Sequence, residues 1–275
     1  MRFAIRMLQR AVILALGGLS IWLIVDVFEL VDRRLPLILA LIATYAIGAY
    51  LILPRAVRMG LKVLQRKRVP SFTITGDGLP GDPVNLALAG TFDQLRNAFT
   101  VAGWVEADPL NLASSWRMAR AFVLNRPYPT APFSTLYLFG RGQDVGFQKA
   151  IDDSPRKRHH VRFWAQSLAY AEADLATPDF WLNDQRPSNN EPALWVGAGT
   201  KDTGFSLTSM TFQMTHATDS DTNAERNYVV NELRDCGVIG KVTNYKTGDE
   251  VVTRRVNHYV TDGDIAVADI EAIPH

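Results

Sequence analysis

Two uncharged apolar runs, Ala11 to Val25 and Leu35 to Leu53, constrain this chain more than any other feature of its sequence. A backbone placed in hydrocarbon satisfies its polar groups within one segment only as a helix, and about 20 apolar residues then cross a bilayer. The first run keeps its apolar character past Asp26 through Val27, Phe28, Leu30 and Val31. The second is nineteen residues long, opened by Pro36 and closed by Pro54. Together they predict a two-helix transmembrane hairpin, with Gly17, Gly18 and Gly48 allowing close approach of the helices.

The cations set the expected orientation. Arg2, Arg6 and Arg10 precede the first run. Arg55, Arg58, Lys62, Arg66, Lys67 and Arg68 follow the second, while the connecting turn mixes Arg33 and Arg34 with Asp26, Glu29 and Asp32. This bias predicts a multi-pass protein of the plasma membrane with both termini cytoplasmic. Cations interleaved with Val57, Met59, Leu61, Val63 and Leu64 read as a basic juxtamembrane helix on anionic headgroups, so the lipid bilayer is the first expected partner. Residues 1–68 hold eleven Lys/Arg against three Asp/Glu, and the remainder holds 18 against 25. An acidic remainder argues against a nucleic-acid partner. The single cysteine, Cys236, excludes an internal disulfide and reads as a packing residue.

The domain boundaries follow from composition. Residues 1–68 form the hairpin with its basic helix, and residues 69–82, rich in glycine and proline, form a linker. Residues 83–275 form a cytosolic α+β domain with helices packed on a mixed, largely antiparallel sheet. Val84 to Ala89 reads as a strand. Thr91 and Gln94 form a capping box for a helix that Gly103 closes, and Trp104-Val105 returns to strand. Asp108 and Pro109 open a second helix that ends near Asn125. The proline-spaced segment Arg126 to Pro132 is stiff enough to wall a cleft. Further strands are expected at Thr135 to Phe139, Val145 to Lys149, His159 to Ala165, Ala193 to Thr200, Thr211 to Thr215 and Val256 to Val260. A short helix or turn is expected at Ala169 to Trp181, and a helix from a second capping box, Thr222 with Glu225, to Gly237. Gly197-Ala198-Gly199 lacks phosphate-loop spacing and reads as close backbone packing.

Chemistry concentrates in two stretches. Ser154 to Trp164 carries Arg156, Lys157, Arg158, His159, His160 and Arg162 beside Phe163 and Trp164. On a strand, His159, Val161 and Phe163 share one face while His160 and Arg162 share the other, so the two histidines point apart and do not form a two-ligand metal site. Thr215 to Arg226 sets His216 beside Asp219, Asp221, Glu225 and Arg226 at a helix entrance, where an imidazole can be oriented for proton transfer. An EF-hand reading fails, because Ala224 stands where the loop needs glycine and Val230 where it needs glutamate. No HExxH and no cysteine pair is present. A metal would need His159 or His160, Asp202 and His216 brought together by folding, and neither metal nor cofactor is assigned.

Several longer motifs carry a resemblance. Pro83-Val84-Asn85, Ala102-Gly103-Trp104, Arg126 to Pro132, Leu136 to Arg141, Ser154 to Arg162, Gly197 to Asp202 and Thr215 to Arg226 together resemble the LssY C-terminal-type domain of bacteria, over roughly residues 82 to 245. The resemblance implies a bacterial inner-membrane setting with lipid or phosphate neighbours, since related domains stand behind transmembrane helices or are fused to PAP2-type phosphatases or DedA-type membrane proteins. It brings no catalytic assignment.

Three functions fit these residues. The first is a membrane-anchored accessory domain that binds an anionic ligand, phospholipid headgroup or protein partner through Arg126, Arg158, Arg162 and Arg226. The second is a phosphate- or acyl-ester hydrolase using His160 or His216 with Asp202 or Asp221. The third is an assembly module of a membrane transport or secretion system, with a membrane-protein partner.

Overall fold

A computed structural model describes residues 2–53, 55–56, 71–76, 78–124, 126–152, 154, 156–168, 185–207, 214–246, 251–252 and 259–271. Two compact units emerge: Met1–Lys67 with Gly76–Leu79 and Ser206–Thr215, and Arg68–Thr75 with Pro80–Phe205 and His216–His275.

In the first unit, α1 (Arg2–Asp32) turns at Arg34 and Leu35, whose backbone amides both donate to Val31 O. Pro36 then starts α2 (Leu37–Ile47), which widens into a π-helical turn over Gly48–Ile52. Among the described residues, only Leu14–Asp32, 19 residues, is long and apolar enough to cross a membrane, and Leu37–Ile52 falls short. At 1.5 Å per residue the shorter segment gives roughly 24 Å of helix against about 30 Å of hydrocarbon. The expected two-helix transmembrane hairpin is therefore not supported, and the multi-pass plasma-membrane topology with both termini cytoplasmic loses its basis. The second apolar run is long in letters, but proline fixes where its helix can begin. An alanine Cβ at Gly48 would lie 3.5 Å from Ile24, whereas Gly17 and Gly18 face no neighbour within 4 Å. Most of the basic segment after this helix lies outside the described residues.

The second unit begins with β1 (Phe72–Thr75), β2 (Pro80–Pro83) and β3 (Leu86–Gly90), so the glycine- and proline-rich range expected to be a linker contains two short strands. Then come α3 (Phe92–Val101), β4 (Val105–Glu106), α4 (Leu112–Val123), β5 (Leu136–Leu138), β6 (Arg141–Gly142), β7 (Val145–Ala150) and β8 (Arg158–Ser167). The chain ends with β9 (Ala193–Leu207), β10 (Met214–Thr218), α5 (Thr222–Asp235), β11 (Thr243–Lys246), β12 (Val251–Val252), β13 (Val260–Thr261) and β14 (Asp264–Asp269). The large sheet runs β11-β14-β3-β9-β8-β7-β4, with β10 beside β9. Its pairs are antiparallel except β14 with β3. A smaller sheet runs β2-β1-β5-β6. The expectation at Ala169 to Trp181 lies outside the described residues, as do residues 256–258, with His258, of the strand expected at Val256 to Val260 and most of the strand expected over 211–215.

Period-two alternation gives the large sheet two different faces. On one, Leu86, Leu88, Phe147, Val161, Phe163 and Trp195 pack under Leu95 and Phe99 of α3 and Val229 and Leu233 of α5. On the other, Ala87, Trp164, Leu194, Val196 and Ala198 pack with Leu136, Leu138 and Phe139 of the small sheet. Gly197 lets β9 lie against the helix-side core, since a Cβ there would come within 2.5 Å of Phe163 Cε1.

Capping residues set the helix starts. The Thr91–Gln94 box opens α3 as its sequence predicts. The start of α4 differs: Asn111 and Ser114 form the box, while Asp108 accepts from Tyr128 OH at 2.6 Å and pairs with Arg117. At α5 the cap is Asp221, whose Oδ1 accepts from Ala224 N. This frees Glu225 to leave the expected box and meet His159.

Candidate functional site

Strand β8 carries the centre of the site. Arg158, His160 and Arg162 alternate with His159, Val161 and Phe163, and they face away from the helices. The antiparallel register with β9 sets Asp202 opposite Arg158 and Thr200 opposite His160, and the register with β7 sets Gln148 opposite His160. All of these side chains are buried. Arg158 Nε donates to Asp202 Oδ2 at 2.9 Å, and its Nη1 donates to Gln148 Oε1 at 2.6 Å. His160 sits between Thr200 Oγ1, 2.8 Å from its Nε2, and Asp202 Oδ2, 3.4 Å from its Nδ1. A second carboxylate, Asp82 at the end of β2, lies 3.6 Å from Nε2 and holds Arg162 Nη1 in an ion pair. Tyr259 OH donates to Asp82 Oδ1 at 3.0 Å and accepts from Thr218 Oγ1.

Burial and neighbours pull these groups in opposite directions. For His160, burial is the largest influence and disfavours the cation. Attraction to Asp202 and hydrogen bonding to both carboxylates outweigh burial and the opposing Arg162, so its pKa is raised. Burial likewise pushes the Asp82 carboxyl up, but Arg162, His160 and Tyr259 together bring it below its ordinary value. Burial lowers the Arg158 pKa by more than Asp202 restores. Tyr259 is pushed well above the usual phenol value, first by burial and then by the Asp82 charge. Within the network, Arg162 Nε has no hydrogen-bond partner, and His160 Nδ1 has none of good geometry, with Asp202 Oδ2 lying 3.4 Å away.

The segment after α4 forms the cover. Arg158 and Arg162 lie 4.9 and 4.8 Å from the Phe133 ring centroid, and the His160 ring lies 5.3 Å away. Ala131 O accepts from Gln148 Nε2 at 2.8 Å and from Arg158 Nη1 at 3.3 Å. Gly146 makes room for the ring, since a Cβ there would come within 2.7 Å of Phe133 Cδ2. Beside Phe133, a small pocket lined by Pro127, Tyr128, Pro129, Gln148, Ala150, Ser154 and Arg158 reaches the edge of the network.

Of the residues expected from sequence, His160, Arg158, Arg162 and Asp202 come together. Asp221 is a helix cap, and Arg226 makes a two-pronged pair with Asp262 at 2.8 and 3.0 Å. Arg126 is exposed. His216 lies on β10, and its side chain is outside the description. His159 stacks on Tyr228 at 4.1 Å and meets Glu225 at 2.8 Å on the helix side of the sheet. Among the described residues, no group of three or more His, Cys, Asp or Glu is arranged to hold a metal ion. Sequence reasoning missed Asp82, Thr200, Tyr259, Phe133 and Gly146.

The second unit is thus an α+β domain built around a buried histidine, arginine and carboxylate network under an aromatic cover. The chain belongs to the LssY C-terminus family, whose model matches residues 66–265 and so takes in both strands of the supposed linker. No curated protein and no solved structure matches the chain significantly.

Proposed function

We propose that the domain is a hydrolase of phosphate or acyl esters, with His160 transferring the proton, Asp202 orienting it and Thr200 supplying the hydroxyl. The observation that carries this reading is the line of hydroxyl, imidazole and carboxylate: Thr200 Oγ1 at 2.8 Å from Nε2, and Asp202 Oδ2 at 3.4 Å from Nδ1. A hydroxyl is a weak nucleophile until a base held by a third group takes its proton. With Nδ1 protonated on the side of Asp202, which holds the ring by charge across 3.4 Å rather than by an aligned hydrogen bond, neutral His160 takes the Thr200 proton on Nε2 as Oγ1 attacks the ester carbon or phosphorus. The bond to the leaving oxygen breaks, and that oxygen takes the proton from Nε2. Water then attacks the acyl or phosphoryl centre while Nε2 takes its proton, the bond from that centre to Thr200 Oγ1 breaks, and Nε2 returns the proton to Oγ1. Arg162, with its Nε unpartnered, and Arg158 flank His160 on the same strand face and stabilise charge that develops on the substrate oxygens. Substrate enters from the pocket beside Arg158 as the Phe133 segment lifts.

Pure anion binding by the same residues is less well supported, because it leaves the Thr200, His160 and Asp202 line without a role. The full chain in detergent is assayed on p-nitrophenyl phosphate and p-nitrophenyl butyrate. His160→Gln is expected to lower turnover about 10²- to 10⁴-fold while the circular dichroism spectrum is retained. Thr200→Ser keeps activity and the isosteric Thr200→Val loses it. Absence of wild-type turnover on both esters, or full activity in Thr200→Val, refutes the proposal.

A further inference from the structure

Helix α4 is turned inside out relative to the other helices of its unit. Among its described side chains, those buried on the inner side are the small Ser114 and Ala121. Its outer side presents Leu112 at 93 % exposure and Trp116, one turn on, at 72 %, with Leu110 and Leu124 half exposed at the two ends. Arg117 and Arg120 flank this apolar stripe, Arg126 follows it, and all three are exposed. No acidic residue occurs between Asp108 and Asp144, in a part of the chain that is otherwise rich in acids. Asp108 itself is held by Tyr128 and Arg117.

We propose that α4, with Leu110, Leu124 and Arg126, docks on an anionic phospholipid surface, its apolar stripe in the headgroup boundary and its arginines on lipid phosphates. Charge complementarity selects this occupant. An acid-free helix with exposed Leu and Trp beside arginines combines the two attractions that hold a helix in the plane of a membrane, apolar burial and anionic lipid. Tryptophan in particular favours the headgroup level, where its ring is half buried and its N–H remains wet. The same chain carries a helix, Leu14–Asp32, long and apolar enough to cross a bilayer.

The test uses the full chain reconstituted into vesicles, with Cys236→Ser removing the native thiol and an environment-sensitive fluorophore attached at Leu112→Cys. A control fluorophore goes at Asn244→Cys, exposed on β11 at the sheet edge opposite β4. In vesicles of phosphatidylglycerol and phosphatidylcholine, the probe at position 112 is expected to shift to the blue and to be quenched by nitroxide-bearing lipid, while the control stays aqueous. Each arginine near an anionic surface favours the docked state roughly fivefold, so the triple variant Arg117→Gln, Arg120→Gln, Arg126→Gln shifts that equilibrium about 100-fold toward the undocked form. A probe at 112 that stays aqueous in anionic vesicles overturns the proposal. So does a blue shift that persists in detergent and grows with protein concentration, which assigns the face to a second copy of the chain.

Discussion

Gly146→Ala tests whether Phe133 is seated as described. With no neighbour in the way, alanine in place of a strand glycine stabilises by about 0.4–1 kcal/mol, because it restricts the unfolded chain. Here the new Cβ would lie within 2.7 Å of Phe133 Cδ2, so the ring must move. Overpacking of this kind costs about 1–3 kcal/mol. The displaced ring also leaves the guanidinium groups of Arg158 and Arg162, now 4.9 and 4.8 Å from its centroid. Each such contact contributes about 0.5–2 kcal/mol. The net expectation is a loss of about 2–4 kcal/mol, or roughly 5–15 °C in the melting temperature of a unit this size. Thermal and urea unfolding of the full chain in detergent, followed by tryptophan fluorescence, measure it. The decisive comparison is the Phe133→Ala background, where the obstacle is gone and Gly146→Ala should be neutral or stabilising. The two substitutions thus couple by about 2–4 kcal/mol. Equal cost of Gly146→Ala in both backgrounds, or no cost in the wild type, refutes the placement of the ring.

Other consequences follow from the same contacts. The His160 pKa is raised on folding, so its stabilising contribution is complete below the unfolded value of about 6.5 and is lost as pH rises through the folded value; melting temperatures should fall on that alkaline limb, and His160→Gln should flatten it. Asp82 is lowered, so its contribution is present above the unfolded carboxylate value and disappears as pH falls through the folded one, an acid limb that Asp82→Asn removes. If neutral His160 is the base, kcat/KM rises with pH through an apparent pKa above the ordinary histidine value, and Asp202→Asn moves that limb to lower pH by removing the main attraction for the imidazolium. Thr91→Ala, which deletes one arm of the α3 capping box, should cost about 1 kcal/mol, or about 2–4 °C by differential scanning fluorimetry.

What could be read from the sequence depended on whether the signal was local. The α3 box is a four-residue pattern, and β8 alternation is a property of one strand, so both were legible, as was the separation of His159 from His160. Asp202 could be named as a candidate, but its register opposite Arg158 depends on how β9 pairs. Asp82 was hidden because its surroundings, Gly76 to Pro83, have turn composition, and a short edge strand leaves almost no periodic trace. Thr200 and Phe133 are ordinary residues until pairing sets the first against His160 and the open space at Gly146 admits the second. Asp108 illustrates a different limit: aspartate followed by proline suits a helix start, yet its carboxylate went to Tyr128 and the cap moved to Asn111. The second apolar run misled because hydropathy counts residues, whereas spanning depends on the length of helix that Pro36 leaves available.

The position of the charged network argues for chemistry over stability. The helix-facing side of β7 and β8 is filled by Val145, Phe147, Val161 and Phe163, so these strands accept an apolar core readily. On their other side the filling changes along the strand. Trp164, with Leu194, Val196 and Ala198 of β9, lies against the small sheet, whereas Arg158 and His160, with Thr200 and Asp202, lie where the Phe133 loop joins the cover and Asp82 of β2 borders it. Buried ion pairs stabilise a fold no better than apolar side chains of similar volume. A purely structural role gives no reason to gather them under that stretch of cover. The small sheet is held by strand pairing. The loop is held near the network by Thr130 O, which accepts from Asp108 N, by Ala131 O, which accepts from Gln148 and Arg158, and by the Phe133 ring. A catalytic centre needs its polar groups dry at rest and reachable on demand. The hydrolase proposed above would need such a place, and among the described residues the loop over Arg158 and His160 is held by single hydrogen bonds and one ring rather than by a strand ladder.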